Sequence, residues 1–163
     1  MNSADIHGHR TTRPRDHDAV QAVQRSTRCI DGLLEREMAR RGISLPQYNV
    51  LRIVRDAGDP GLATLLIATR MLDRAPGITR LLDRLQMQGL VRRHRGRDRR
   101  QVLCSLTAAG AELLATLDPL VAGVKEDVLS ALTPNEVGAL IHLLDRVCAT
   151  AGRLENQGTE NNE

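Results

Sequence analysis

The 163-residue chain is long enough to form a sizeable core, and 41% of its residues are hydrophobic. That core must be aliphatic, because the chain has no Phe or Trp and Tyr48 is its single aromatic residue. The net charge of +3 is unevenly distributed: residues 41–105 carry 13 Arg against five acidic residues, whereas residues 106–163 carry three basic against nine acidic residues. Clustered positive charge of this kind is typical of proteins that bind phosphate groups.

Cysteine usage and hydropathy exclude several classes of protein. Cys29, Cys104 and Cys148 lie far apart and form no C-x-x-C pair, so we expect neither a zinc site nor a disulfide framework. No apolar run reaches the length of a membrane span or forms a signal peptide. No nucleophile–base pairing, phosphate loop or metal-ligand spacing is present either. We therefore expect a cytoplasmic protein that is not an enzyme and has no cofactor, metal or membrane partner.

The first predicted element is a long amphipathic helix. Residues 1–15 are polar and lack apolar periodicity, so we expect a disordered tail there. Residues 16–41 carry an apolar stripe that includes Val20, Val23, Ile30 and Leu34. Asp16 or Asp18 is the expected N-cap, and Gly42 is expected to end the helix in the C′ position.

A helix-turn-helix pattern follows the first helix. Ser44 and Gln47 have the spacing of a capping box, which predicts a helix from Ser44 to about Ala57. Its expected buried residues are Tyr48, Leu51 and Val54. A short helix is predicted over residues 64–70, and a turn over residues 71–73 separates it from the next helix.

The second helix of this pattern has two contrasting faces. Pro76 is expected at its N1 position, and the helix should end before Gly89. The spacing of the apolar residues predicts a buried face of Ile78, Leu81, Leu82 and Leu85. The opposite face carries Gly77, Thr79, Arg80, Asp83 and Arg84. Such a helix enters the major groove of DNA in helix-turn-helix proteins. Arg80 is the favoured base or phosphate contact, whereas Arg84 could instead pair with Asp83 or another acid.

Two short strands, residues 90–91 and 102–106, are predicted to flank a basic loop. The loop contains Arg92, Arg93, His94, Arg95, Arg97, Asp98, Arg99 and Arg100. It has no apolar residue to fold inward, so we expect its arginines to stand in solvent. A charge run without function is the alternative interpretation. Its place beside a helix-turn-helix favours a DNA-binding wing.

Two further helices complete the chain. Thr107 is expected to cap a long apolar helix, which Pro119 should kink or locally break. Thr133 and Glu136 flank a proline in a capping pattern that opens the last helix. Residues 152–163 are polar and predict a frayed tail. The expected organisation is a winged lobe over residues 44–106 and a helical dimerisation layer formed by residues 16–42 and 107–151, since those helices carry more apolar surface than one lobe can cover.

For the cysteines, structural roles are favoured. Cys104 and Cys148 lie on apolar stripes and should act as small hydrophobic residues. Cys29 lies near Arg25, Arg28 and Arg36, which could lower its pKa, so a redox-sensing role is the less favoured alternative.

Three segments resemble the MarR (multiple antibiotic resistance regulator) family: LPQYNVL at 45–51, ITRLLDRL with GLV at 78–85 and 89–91, and DRR at 98–100 leading to SLT at 105–107. The resemblance covers residues 18–150. It implies a winged-helix homodimer with interlocked terminal helices, a recognition helix over residues 75–88 and a wing arginine in the minor groove. On this sequence the recognition-helix arginine falls on Arg80. The wing arginine falls on Arg100, which Asp98 would position.

The residues thus predict a mainly α fold with a small β-wing, in a dimeric regulator that binds double-stranded DNA. It would act as a repressor on a palindromic operator, tuned by a small-molecule effector bound between lobe and dimer layer. A winged-helix protein-interaction module without DNA binding and a redox regulator based on Cys29 are the alternatives.

Overall fold

The computed structural model describes residues 14–71, 77–96 and 101–160. In chain order its elements are α1 (Pro14–Ala39), α2 (Leu45–Ala57), β1 (Leu62–Ala63), α3 (Thr64–Arg70), α4 (Ile78–Met87), β2 (Val91–Arg95), β3 (Val102–Leu106), α5 (Ala108–Leu129) and α6 (Pro134–Glu160). The predicted mainly α fold with a small β-wing is confirmed.

Three of the predicted capping patterns occupy helix starts, those of α2, α5 and α6. Ser44 and Gln47 form both hydrogen bonds of the capping box at the start of α2. Thr107 accepts through Oγ1 from the backbone N–H three residues later, at 3.1 Å, and so caps α5. At α6, the Glu136 carboxylate accepts from the Thr133 backbone N–H at 2.8 Å. Each contact satisfies donors that a helix start would otherwise leave unpaired.

Several helix boundaries differ from the predictions. α1 begins at Pro14, so Asp16 and Asp18 lie inside the helix and neither is its N-cap. α5 runs through Pro119 as one continuous helix, so the expected local break is absent there. α6 continues past residue 152 to Glu160, beyond the expected start of a frayed tail.

The three strands form an antiparallel sheet in the order β1-β3-β2. β1 was not predicted, because two residues are too few to show an alternating pattern. β2 extends to Arg95, so the first four residues of the predicted basic loop are strand. Five residue pairs between β2 and β3 hold those arginines in the sheet.

The chain divides into two compact units, residues 1–121 and residues 122–163. The core of the first unit is aliphatic, as predicted. Its fully buried side chains include Met38, Val50, Leu51, Ile67, Leu82, Leu85, Val91, Leu114 and Leu117. In α1 this burial is confined to the C-terminal half, because Val20 and Val23 are exposed.

The second unit, the end of α5 and α6, has no such core. No residue from 122 to 154 is buried. Large apolar side chains on α6 are exposed instead: Leu140, Ile141, Leu143, Val147 and Leu154. In the described part of the chain, no helix is long and apolar enough to cross a membrane.

Candidate DNA interface

The predicted recognition helix, α4, buries part of its predicted apolar face. Leu82 and Leu85 are fully buried against the lobe, whereas Ile78 and Leu81 are only half-buried. Thr79, Arg80 and Arg84 are all exposed on the opposite side. Among the described residues, neither Arg80 nor Arg84 forms an ion pair. Their guanidinium groups can therefore make forked hydrogen bonds to phosphates or guanine edges.

Gly77, rather than a side chain, caps the N-terminus of α4. Gly77 has a φ of 105°, and among the described residues no side-chain group hydrogen-bonds to the helix start. Within the same described ranges, no heavy atom outside its neighbours lies within 4 Å of the position that a Cβ would take. A helix start without a side-chain cap leaves backbone N–H groups available to an anion.

The expected N1 role of Pro76 is wrong, because α4 begins at Ile78 and residue 77 is its N-cap. Pro76 itself lies outside the described residues. The left-handed backbone at Gly77 turns the chain just before the helix, which places the first helical residue two positions after the proline.

A hydrogen bond between side chains joins the other end of α4 to α2. Gln47 donates through Nε2 to the Gln88 side-chain oxygen at 2.9 Å, and Gln88 donates to the Gly42 carbonyl at 3.2 Å. Gln47 is almost completely buried and also completes the capping box with Ser44. One glutamine therefore sets the start of α2 and the end of the candidate recognition helix together.

Arg93 joins the wing to the same helix through an ion pair and a hydrogen bond. Its guanidinium pairs with Asp83 at 2.7 Å and donates to the Thr79 carbonyl at 3.2 Å. Next to it, Arg92 donates through Nε to Ser105 at 3.0 Å. The expectation that all arginines of this run stand in solvent is wrong for Arg93, which is part-buried. It is wrong because β2 continues through these positions and directs Arg93 toward α4.

The wing tip carries the remaining predicted contacts. Arg95, the last residue of β2, is exposed. Arg97, Asp98, Arg99 and Arg100 lie outside the described residues. Of the ten predicted site residues, the structure therefore brings Gly77, Thr79, Arg80 and Arg84 together on α4, with Arg95 on the adjoining strand.

A polar network that the sequence analysis missed joins α2 to α5. The Tyr48 hydroxyl donates to Asp118 at 2.7 Å, and Arg55 pairs with the same carboxylate. Burial, then the hydrogen bond to Asp118 and its negative charge, raise the pKa of Tyr48 to about 12. Burial alone would raise the pKa of Asp118, but hydrogen bonds from Arg55 and Tyr48, with the charge of Arg55, outweigh it and lower that pKa.

One signal in the sequence could have predicted this network. Tyr48 sits on the buried stripe of α2, and a buried tyrosine hydroxyl needs a hydrogen-bond partner. Asp118 is an acidic residue on a largely apolar helix, which makes it a candidate partner. Tyr48 itself is core, as predicted, at 2% exposure.

The three cysteines differ in burial. Cys104 is fully buried, and burial raises the pKa of its thiol to about 11. Cys148 is exposed and lies on the exposed apolar stripe of α6. Cys29 is exposed on α1. In the part of the chain that the structure describes, no cluster of His, Cys, Asp or Glu side chains could hold a metal ion.

Comparisons with known proteins agree on one family. The MarR family model matches residues 43–102. A MarR transcription factor from Planctomyces limnophilus is 38% identical, with a TM-score of 0.63, and the match covers 79% of this chain and 94% of that one. The structure of a mutant of Escherichia coli MarR complexed with operator DNA is 27% identical, with a TM-score of 0.72 and coverages of 80% and 93%.

A curated relative adds a match at the level of sequence. Transcriptional regulator HosA of Escherichia coli O157:H7 is 29% identical over 109 residues, which is 66% of this chain and 79% of HosA. These relatives are transcriptional regulators and not enzymes. The chain belongs to the MarR family of transcriptional regulators.

Proposed function

We propose that the protein is a dimeric repressor that binds a palindromic operator through α4 and the wing. The observation that carries the proposal is the asymmetry of α4. Arg93 and Gln88 fix the helix in the lobe, while Arg80 and Arg84 extend from its exposed side. The E. coli MarR mutant with the same fold was solved with operator DNA, which supports a DNA partner for this surface.

The wing would add contacts in the minor groove. Arg95 is the described member of this group, and Arg97, Arg99 and Arg100 follow it in the sequence. A narrow minor groove has a deep negative potential that attracts arginine. We propose that Arg100 enters this groove and that Asp98 orients it.

A second copy of the chain would cover the apolar side of α6. Leu143, Val147 and Leu154 line a groove on that side, and each is more than half exposed. Isolated helices gain little stability in water unless an apolar face packs against a partner. Val20 and Val23 on α1 are also exposed, and the second copy would cover them too. Symmetric pairing would also place two copies of α4 on one duplex, with half-sites about one helical turn apart.

The DNA affinity of this dimer would respond to a small-molecule effector. Repression and dimerisation are typical of the family. A regulator of this kind changes its operator affinity only if the effector binds one of its conformations more tightly than the other.

Selection of bound duplexes from a random library tests the DNA-binding part. We expect an enriched, two-fold symmetric sequence, whose affinity falls steeply with salt because phosphate contacts release counterions. Light scattering should give the mass of a dimer at micromolar concentration. Failure to enrich any sequence would favour the protein-interaction module, and a monomeric mass would contradict the dimer.

A further inference from the structure

Three side chains form a row along the side of α4 that faces away from the lobe. Arg80, Arg84 and Met87 are spaced i, i+4 and i+7, and residues at these intervals share one face of a helix. All three are exposed, whereas Leu82 and Leu85 on the opposite side are fully buried. Together the three exposed side chains are the outward row of α4. A partner that approaches this helix from solvent meets the outward row first.

The two arginines of the row have no ion pair because the neighbouring acid is already occupied. Asp83 is the only acidic residue of α4 and precedes Arg84 in the sequence. Its carboxylate pairs with Arg93 of β2 at 2.7 Å, and neither Arg80 nor Arg84 forms an ion pair among the described residues. The same pairing holds α4 against β2. A fixed helix therefore presents two guanidinium groups whose charge is not neutralised in the described part of the chain.

Met87 differs from the other members of the row because it is apolar. At 89% it is the most exposed large hydrophobic side chain among the described residues. Single exposed hydrophobic residues are common and need no special role. Met87, however, continues a row of two arginines on the outer side of the candidate recognition helix. The apolar group that the major groove of DNA offers is the C5-methyl group of thymine.

The spacing of the row matches successive base pairs. When an α-helix lies in the major groove, side chains about one turn apart contact neighbouring bases, as those spaced three or four residues apart do in zinc-finger helices. The intervals in the outward row are four residues and then three. Arginine makes forked hydrogen bonds to O6 and N7 of guanine, whereas adenine presents a donor in place of O6. The row therefore matches two guanines and a thymine in succession.

We propose that the outward row reads three successive base pairs in each half-site. Arg80 and Arg84 each recognise a guanine through its O6 and N7 atoms, and Met87 packs against the methyl group of the thymine that follows. This inference rests on the proposed function, since it assigns the bases that the same helix contacts. It deepens that function by predicting the core of the operator from the protein.

Selection from a random library tests the base identities. The wild-type protein should enrich half-sites whose core is guanine-guanine-thymine. In Arg84→Ala the preference at the middle position should fall by a factor of about 5–150, the discrimination of one forked contact, while the other two positions keep theirs. Arg80→Ala should behave in the same way at the first position. An enriched sequence without adjacent G·C pairs would overturn the inference and leave DNA binding intact, whereas enrichment of no sequence would count against the proposed function itself.

A single-atom change in the DNA separates base contacts from phosphate contacts. Replacing the middle guanine by 7-deazaguanine removes its N7 acceptor and leaves every phosphate in place. The wild-type protein should bind this duplex about tenfold more weakly, the loss expected for one hydrogen bond to a charged group. Arg84→Ala should bind the modified and unmodified duplexes equally. Equal binding of both by the wild type would show that Arg84 does not contact this base, and would overturn its assignment.

Uracil in place of the thymine removes only the methyl group. The wild-type protein should bind the uracil duplex about fourfold more weakly, as expected for one buried methyl group, and Met87→Ala should bind both duplexes equally. Gln86→Ala is the matched control, because Gln86 is also exposed but lies about 100° around the helix from Met87. It should keep the fourfold difference. Absence of that difference in the wild type, or its loss in both variants, would overturn the role of Met87.

Discussion

The arginines of α4 and the β2 arginine that contacts this helix differ in a way that the sequence does not show. Arg93, on β2, is held by Asp83 and the Thr79 carbonyl, and its side chain is 21% exposed. Arg80 and Arg84, on α4 itself, are exposed and have no ion pair among the described residues. Charge alone would assign all three to DNA, but among the described residues only Arg80 and Arg84 have guanidinium groups that are not already paired within the lobe.

Contacts that hold the fold together and contacts proposed to bind DNA should therefore be separable by experiment. The first group, the structural contacts, comprises Arg93, the Gln47–Gln88 pair, the Tyr48–Asp118–Arg55 network and the packing of Gly110 against Leu90. The second group, the DNA contacts, comprises Arg80 and Arg84 of α4 and the wing tip. Changes in the first group should lower stability, and changes in the second should lower only DNA affinity.

The largest expected effect is at Gly110, in the first turn of α5. A Cβ there would lie 2.2 Å from the Leu90 carbonyl oxygen, which as backbone cannot move aside easily. Gly110→Ala should destabilise the fold by about 3 kcal/mol, the upper range for overpacking. Gly123→Ala on the same helix meets no atom within 4 Å and should stabilise it by about 0.5–1 kcal/mol. Urea unfolding of both variants checks this, and equal stabilities would contradict the close contact.

Arg80→Ala should give the largest loss of DNA affinity, about 1–3 kcal/mol, if its guanidinium contacts a base edge. Anisotropy titrations on the selected operator and on a scrambled duplex would measure it. Arg80→Lys is the control, since lysine keeps the charge but cannot make a forked contact. If lysine restores full affinity and specificity, Arg80 contacts a phosphate and does not read sequence.

In the wing, both Asp98→Asn and Arg100→Ala should weaken binding. Losing Asp98 would free the long Arg100 side chain, and ordering such a side chain costs about 0.5–1.5 kcal/mol. The double variant should bind little worse than Arg100→Ala alone. Tighter binding by Asp98→Asn would show that this aspartate only repels phosphate.

Tyr48→Phe should lower stability by about 1 kcal/mol, the typical value of one hydrogen bond. The effect should depend on pH. The pKa of Asp118 is lowered in the folded state, so its network stabilises the protein fully above the ordinary value of 3.8. As the pH falls through the lower, folded-state pKa, the carboxylate protonates and this stabilisation is lost. The difference between wild type and Tyr48→Phe should shrink accordingly in acid unfolding series, and a constant difference would contradict the network.

The smallest effect should come from Cys29→Ser, because Cys29 is exposed on α1 and outside both groups. DNA binding should be unchanged under reducing conditions. Peroxide that releases the wild-type protein from DNA but not this variant would establish the redox alternative.

Local signals predicted the helical part of this fold well. The capping pairs Ser44–Gln47 and Thr133–Glu136 marked the starts of α2 and α6, because their hydrogen bonds join residues three positions apart. The spacing of apolar residues likewise assigned Leu82 and Leu85 of α4 to the core, because this spacing can be seen within a single helix.

Contacts between distant residues could not be predicted in this way. Arg93 looks like its neighbours in the sequence and differs only because β2 pairs with β3 and faces α4. Asp118 lies 70 residues from Tyr48, and no local pattern joins them. The two-residue strand β1 gave no periodic signal, so its pairing with β3 is visible only in the structure.

The distinction between structural contacts and DNA contacts is tested most directly on two variants, Arg80→Ala and Tyr48→Phe. For each, both the operator affinity and the free energy of unfolding are measured. Arg80→Ala should lose about 1–3 kcal/mol of affinity and keep the stability of the wild type. Tyr48→Phe should lose about 1 kcal/mol of stability and keep the affinity under conditions where it is fully folded. If both quantities fall together in both variants, the structural contacts and the DNA contacts are not separable, which would contradict the distinction between them.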